Sequence, residues 1–185
     1  MDKFCFVACI LIFGVAAQLD IFRPKTIRFN VFKGRCPDYP KAPIYLSNVQ
    51  LNNINRTFYV SLKVHVTKNI DSDDLKLELH LKRCASSDAL DSCENYNTIK
   101  LNHFCKMLDA EDKPWTPFRK YFHPPSTGCP LRKGEHSIKN GTFDGSAFSR
   151  IPINNFYWKV TVHLITVPQD EVVMCNQVEG QIAPI

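Results

Sequence analysis

The chain has 185 residues, a formal net charge of +5 and 44% hydrophobic residues, which suits one domain with a core of its own. The charge is uneven, because residues 23–41 hold six lysines or arginines against one aspartate while the rest is close to neutral. No nucleic-acid-binding module is recognisable, so nucleic acid is not expected as a partner.

The N-terminus is typical of a secretory signal peptide covering residues 1–17. Met-Asp-Lys precedes an apolar run at 4–17, and Val15 and Ala17 place small residues at the −3 and −1 positions of a cleavage site. The run is too short to span a membrane, and the alternative is a buried N-terminal helix. We expect residues 18–185 to form a single secreted, extracellular domain that is monomeric.

The basic segment at 23–41 begins the mature chain and has two interpretations. It could meet an anionic lipid head group or another membrane surface, or a receptor. We favour the simpler interpretation, in which the charges solvate a strand edge and prevent edge-to-edge pairing.

Alternation of apolar and polar residues predicts the first strands. Candidates lie at 27–32 and 44–51, and the run 57–66 alternates strictly. After a turn at 69–73, leucines alternate with polar residues over 75–81. Since each of the last two runs has one apolar and one polar face, we expect them to pair as antiparallel neighbours.

The second half of the chain predicts little helix. Residues 102–110 fit a short helix, and four prolines within 113–125 exclude one regular element across that stretch. A short strand follows Cys129, and longer strands are expected at 156–165 and 172–182. Seven or eight strands at hairpin-like spacing predict an all-β, Ig-like antiparallel β-sandwich.

Six cysteines remain after the signal peptide, an even number that predicts three disulfides in an oxidising compartment. Six cysteines allow fifteen pairings, and spacing alone does not choose among them. No Cys-x-x-Cys pair or tight Cys/His cluster points to zinc, and neither a metal nor a cofactor is expected. Two sequons, at Asn55 and Asn140, are candidate glycosylation sites unless they are left unused.

No catalytic motif is present, so we expect that the chain is not an enzyme. The sequence lacks G-x-S-x-G, H-E-x-x-H, P-loop and Rossmann patterns. Its six histidines are scattered, and His65, His80 and His163 fall at polar positions of alternating strands, as exposed strand histidines do. A lipid-acting hydrolase or its cofactor is kept as a lower-ranked alternative.

Binding is the better-supported activity. If the two sheets splay apart, inward residues would line an apolar cavity for an acyl chain. The candidate lining residues are Phe58, Val60, Leu62, Phe156, Trp158, Val160 and Val162. The alternative is a filled core, with a protein partner bound by a sheet face or by loops.

A proline-bounded loop supplies candidates for the mouth of such a cavity. Its aromatic residues, interleaved with two basic ones, are Trp115, Phe118, Tyr121 and Phe122. An exposed aromatic rim with basic residues suits contact with a membrane or with ligand tails. The alternative, equally open, is that the loop folds these rings onto the core.

The segment C-P-L-R-K-G-E-H-S-I-K-N-G-T-F-D that begins at Cys129, with Ile151-Pro152 and the closing strands, carries a family resemblance. It resembles the C-terminal half of a large insect family of small secreted proteins that includes the CheA/CheB chemosensory proteins. That family is related to the ML (lipid-recognition) superfamily of the ganglioside-activator type. The match covers most of the mature chain and is densest over 101–182.

The resemblance implies an ML-like β-sandwich with an apolar intersheet cavity for a lipid or other hydrophobic ligand. It also implies a chemosensory role, in which a pheromone or contact cue is carried or presented. The disulfide pairing that it implies is Cys36–Cys175, Cys84–Cys93 and Cys105–Cys129. Ganglioside activators have a fourth bridge, for which this chain lacks the cysteines.

Overall fold

The computed structural model describes residues 25–54, 57–72, 74–108, 110–111, 113, 116–125, 128–142 and 156–184. The expected signal peptide, the sequon residue Asn55 and the candidate mouth residue Trp115 lie outside these ranges. None of the helices described is long and apolar enough to cross a membrane.

The described residues form nine strands with two short helices and one 3-10 turn. The strands are β1 (Lys25–Lys33), β2 (Ile44–Ile54), β3 (Thr57–Val66), β4 (Asp74–Cys84), β5 (Glu94–Leu101), β6 (Phe122–His123), β7 (Gly134–Gly141), β8 (Tyr157–Val167) and β9 (Val172–Pro184). The 3-10 turn is Leu90–Ser92, and the helices are α1 (Phe104–Leu108) and α2 (Thr116–Arg119).

The described strands make two layers that share a single pairing between strands. The first layer has the order β5-β4-β8-β9-β1 and the second the order β6-β7-β3-β2. Their link is one parallel bridge between Ile44 of β2 and Met174 of β9. The chain also changes layers after β1 at Gly34, where an added Cβ would lie 2.0 Å from the Leu46 carbonyl oxygen, so only glycine fits.

The predicted all-β sandwich is confirmed.

The prediction that β3 and β4 pair with each other is wrong. β3 lies between β2 and β7, whereas β4 lies between β5 and β8. The connecting residues do not reverse the chain in a hairpin, because the Thr67 amide donates to the Pro43 carbonyl and the Ile70 side chain is buried. Ile70 then forms an isolated bridge with Leu131. The connecting segment thus crosses the end of the sandwich from β3 in the second layer to β4 in the first.

Three disulfides join the elements, in the pairing that the family resemblance implies. Cys36–Cys175 ties the β1–β2 connection to β9, with a sequence separation of 139. Cys84–Cys93 closes the loop between β4 and β5, and Cys105–Cys129 ties α1 to the segment before β7. The separations of these two bridges are 9 and 24 residues.

Candidate ligand-binding site

The inner face of the first layer carries rows of apolar side chains across β4, β8 and β9. The pairing of β4 with β8 is unbroken, so residues two apart on each strand share a face. One row consists of Leu77, Leu164 and Met174. A second row, four residues further along β4, consists of Leu81, Val160 and Val178.

One apolar cluster, here called the closed-end cluster, joins the two layers. Its buried members are Ile44, Val66, Ile70, Leu75, Leu77, Cys105, Leu164 and Val173. They come from β2 and β3 of the second layer, from β4, β8 and β9 of the first, and from α1. The row that contains Leu77 therefore lies where the layers pack tightly together.

A second cluster lies further along β3 and is here called the second-layer cluster. Its buried members are Val60, Leu62 and Ile138. Partly buried residues of β1 and β2, with Tyr121 and Phe122, pack around it. None of its described members comes from β4, β8 or β9.

The row Leu81–Val160–Val178 is thus less deeply buried than the row Leu77–Leu164–Met174. Its three side chains are only partly buried, and they belong to neither cluster. Among the described residues of the first layer, Phe29 and Phe32 of β1 pack against the second-layer cluster, whereas β4 and β8 contribute no member to it at this end, which we call the open end.

The candidate lining residues divide between the two layers. Val60 and Leu62 are buried in the second-layer cluster, and the Phe58 ring centroid lies 6.1 Å from that of Phe29. On the opposite layer Val160 belongs to the open-end row, while Val162 packs against the closed-end cluster.

The other two candidates stand at the beginning of β8. Trp158 is 6% exposed, and its ring lies edge-on to Tyr96 at 5.1 Å and to Phe156 at 6.2 Å between centroids. Phe156 itself immediately precedes β8 and is partly buried. The lining candidates of β8 therefore lie on the inner face of the first layer, and those of β3 lie in the second-layer cluster.

Of the candidate mouth residues, two can be placed. Tyr121 and Phe122 are partly buried and pack against the second-layer cluster. They end the stretch that runs from β5 through α1 and α2 to β6, and so from one layer to the other. Trp115 and the side chain of Phe118 lie outside what the structure describes. A cavity mouth formed by these four aromatic rings therefore remains a prediction.

Arg83 is a polar feature of the open end that sequence reasoning missed. It pairs with Trp158 in the strand register, so it continues the inner face beyond Leu81. Its guanidinium carbon lies 4.7 Å from the Phe156 ring centroid and 5.4 Å from that of Tyr96, and Glu94 forms an ion pair with it. A cation beside aromatic rings is attracted to their faces. The sequence signal was the spacing, because Arg83 follows the alternating leucines of β4 at the next position on the same face.

The outer face of the first layer holds a separate cluster of charged and titratable groups around Glu78. The Glu78 carboxylate lies 3.2 Å from Lys76 Nζ and 3.4 Å from Lys100 Nζ. Burial raises the pKa of Glu78, but the hydrogen bonds from the two lysines outweigh it and leave the pKa below its usual value. The His80 ring lies beside this carboxylate, and its centroid is 4.8 Å from that of His163.

We expect His163 to make folding pH-dependent. Burial lowers the pKa of His163 below the 6.5 of the unfolded chain, and the nearby His80 lowers it further, against the opposing charges of Glu78 and Asp38. The native state therefore binds fewer protons, so this stabilisation is complete above pH 6.5 and is lost as the pH falls through the lower folded-state pKa.

The measurement is the free energy of unfolding in urea between pH 7.5 and 5.5. His163→Gln should make the stability less dependent on pH, by a slope that corresponds to at most about one bound proton. An identical slope in the native chain and in His163→Gln would contradict the expectation.

The described residues contain no group of three or more His, Cys, Asp or Glu side chains arranged to hold a metal. Of the two sequons, only Asn140 can be placed. It is exposed at the end of β7, where its backbone amide donates to Ser61 Oγ at 2.9 Å, and its glycosylation remains a prediction.

Neither a family model nor a curated protein matches the chain. Among solved structures, it is similar to the crystal structure of chicken MD-1 complexed with lipid IVa, at 12% sequence identity and a TM-score of 0.39. The alignment covers 86% of this chain and 97% of that chain. A likeness at this identity and TM-score identifies neither a family nor a ligand for the chain.

Proposed function

We propose that the chain is a secreted protein that binds a lipid or another hydrophobic ligand between its two layers. The observation that carries this proposal is the contrast between the two ends of the sandwich. Eight buried residues join the layers at the closed end, whereas Leu81, Val160 and Val178 face the opposite layer only partly buried. Partly buried apolar side chains on an inner face are what a ligand's hydrocarbon would cover.

The energetics favour a long apolar ligand. Each methylene removed from water contributes about 0.8 kcal/mol, while association and ligand ordering cost several kcal/mol. A short ligand would therefore bind weakly, and an acyl chain of many methylenes would bind well. Arg83 and its aromatic neighbours would stand where the polar end of such a ligand leaves the open end.

Secretion is supported by the three disulfides, which are typical of proteins that fold in an oxidising compartment. The chemosensory role, in carrying or presenting a pheromone or contact cue, rests on the sequence resemblance alone. Contact with a membrane surface or receptor is supported by the exposure of Arg28, Lys33 and Lys41 in the basic segment.

The second candidate function is a protein-interaction module with a filled core. It is favoured by β5, the edge strand of the first layer, whose residues 94–100 are all exposed. Tyr96 and Ile99 are 52% and 40% exposed on it. An exposed edge strand with apolar side chains is a known template for pairing with a partner strand.

The first proposal is tested by filling the open end. We would secrete residues 18–185 from insect cells, identify co-purified lipid by mass spectrometry, and measure uptake of a fluorescent fatty acid. Val160→Trp adds volume to the partly buried row and should weaken uptake by about tenfold or more, a loss of about 1.4 kcal/mol. The folded state of each variant is checked by circular dichroism.

Thr161→Trp is the matched control, because position 161 pairs with His80 on the opposite face of the same layer. It should leave uptake unchanged. Uptake that is equally affected by both changes, or that is absent from the native chain along with any co-purified lipid, would favour the protein-interaction module.

A further inference from the structure

Three polar side chains on the outer face of the second layer form a chain of contacts through the middle one, which is His65. Ser47 of β2 places its Oγ 2.7 Å from Nε2 of His65 on β3. Nδ1 of the same ring lies 3.2 Å from a carboxylate oxygen of Glu135 on β7. A hydroxyl on one imidazole nitrogen and a carboxylate on the other is the arrangement of a serine hydrolase triad.

The arrangement selects one tautomer of the ring. A carboxylate can only accept, so His65 Nδ1 carries the hydrogen that it donates to Glu135. Nε2 is then left with its lone pair and accepts the hydrogen bond from the Ser47 hydroxyl. That is the state in which His65 can take the proton of Ser47 as a general base.

Neighbouring side chains hold the base and the carboxylate in place. Lys63 Nζ binds the other Glu135 oxygen at 2.6 Å, and this hydrogen bond lowers the pKa of Glu135, so the carboxylate stays ionised. The Tyr45 ring stacks on the His65 ring with centroids 4.6 Å apart, and the Arg35 guanidinium carbon lies over the Tyr45 ring, 4.1 Å from its centroid.

The backbone is irregular immediately after Ser47. The register of β2 with β3 runs through Ser47, then resumes at Gln50, so Asn48 and Val49 have no partner residue on β3 in this register. Asn48 has φ of 51°, in the left-handed region that non-glycine residues rarely occupy. Bulges and such backbone conformations are frequent beside active sites, where they redirect a side chain.

We propose that Ser47, His65 and Glu135 hydrolyse carboxylic esters at this outer face. Ser47 Oγ attacks the ester carbonyl carbon while His65 Nε2 takes its proton, and the resulting tetrahedral intermediate expels the alcohol, which receives that proton. Water then attacks the Ser47 acyl ester, giving its proton to His65. Collapse releases the carboxylic acid, and the proton returns to Ser47 Oγ, so one ester and one water yield one acid and one alcohol.

The location limits the substrate class. Ser47 is partly exposed and the His65 side chain is 22% exposed, on a sheet face that is open to solvent. Small acyl esters, or esters on an extended chain that can lie along the strands, can reach Ser47. The triad lies on the opposite side of the second layer from the open end, so this activity is independent of ligand binding between the layers.

The test uses the secreted, folded chain and a fluorophosphonate probe, which forms a Ser–O–P bond with loss of fluoride at an activated serine. We expect incorporation at Ser47, located by peptide mass spectrometry, and hydrolysis of p-nitrophenyl acetate that Ser47→Ala abolishes. Glu135→Gln should reduce hydrolysis by about a hundredfold or more, because the amide no longer stabilises the imidazolium or fixes its tautomer.

Ser61→Ala is the matched control, since Ser61 is a partly exposed serine on β3 of the same layer. It should retain full hydrolysis and labelling. The proposal is overturned if Ser47 is labelled no faster than Ser61, or if folded Ser47→Ala hydrolyses the ester at the native rate. Either result would agree instead with the expectation from the sequence that the chain is not an enzyme.

Discussion

Removing the bridge between Cys36 and Cys175 is expected to destabilise the protein by about 5 kcal/mol, the largest effect of any change considered, on the chain-entropy model. The bridge closes a loop of 139 residues, so its loss frees nearly the whole mature chain in the unfolded state. Both cysteines are also buried, at 2% and 1% exposure. Because a domain's net stability is only about 5–15 kcal/mol, the Cys36→Ala/Cys175→Ala chain should be poorly secreted or unfold near physiological temperature.

The bridge between Cys84 and Cys93 is the internal comparison. Its separation is 9 residues, for which the same model gives about 3 kcal/mol. Urea unfolding of the two double-alanine variants, each against the native chain, gives both values. A larger loss for the short loop than for the long one would show that loop closure is not the main contribution of these bridges.

The sequence was a good guide wherever one face of a strand is buried. β3 and β8 begin and end within two residues of their predicted limits, because each alternates apolar and polar residues along most of its length. Such alternation determines which side chains point inward. It was therefore sufficient to place Val60, Leu62 and Val160 on inner faces.

Alternation does not determine which strands are neighbours, and the prediction that β3 pairs with β4 was wrong for this reason. The runs that became β3 and β4 are close in sequence, yet they lie in opposite layers because Ile70 buries its side chain in the connection. β5 was missed altogether, since its residues 94–100 are exposed on both faces and show no apolar period. It is a strand because it pairs with β4, which is a tertiary contact.

The residues of the two proposed sites show the same division. Whether the inner space is filled depends on the separation of the layers, which no pattern within one strand encodes. The parts of the Ser47–His65–Glu135 arrangement are 18 and 70 residues apart in sequence, and the available signal was a polar histidine at a strand position. The bulge that follows Ser47 has no glycine or proline to mark it.

The contrast between the two ends of the sandwich predicts unequal costs for the same substitution at two leucines of β4. Leu75 is 1% exposed within the closed-end cluster, so Leu75→Ala should cost about 3 kcal/mol through lost burial and the cavity left behind. Leu81 lies six residues later on the same face but in the partly buried open-end row. Leu81→Ala should cost about 1 kcal/mol or less in the ligand-free protein, because fewer atoms pack against it.

The two variants also differ in what they do to ligand binding, which separates packing from function. Leu81→Ala removes apolar surface from the proposed site, so it should weaken fatty-acid uptake while the urea midpoint changes little. Leu75→Ala should lower the urea midpoint and leave uptake by the folded fraction close to native. Equal destabilisation by both changes would mean that the layers pack as closely at Leu81 as at Leu75, and there would then be no space between them for an acyl chain.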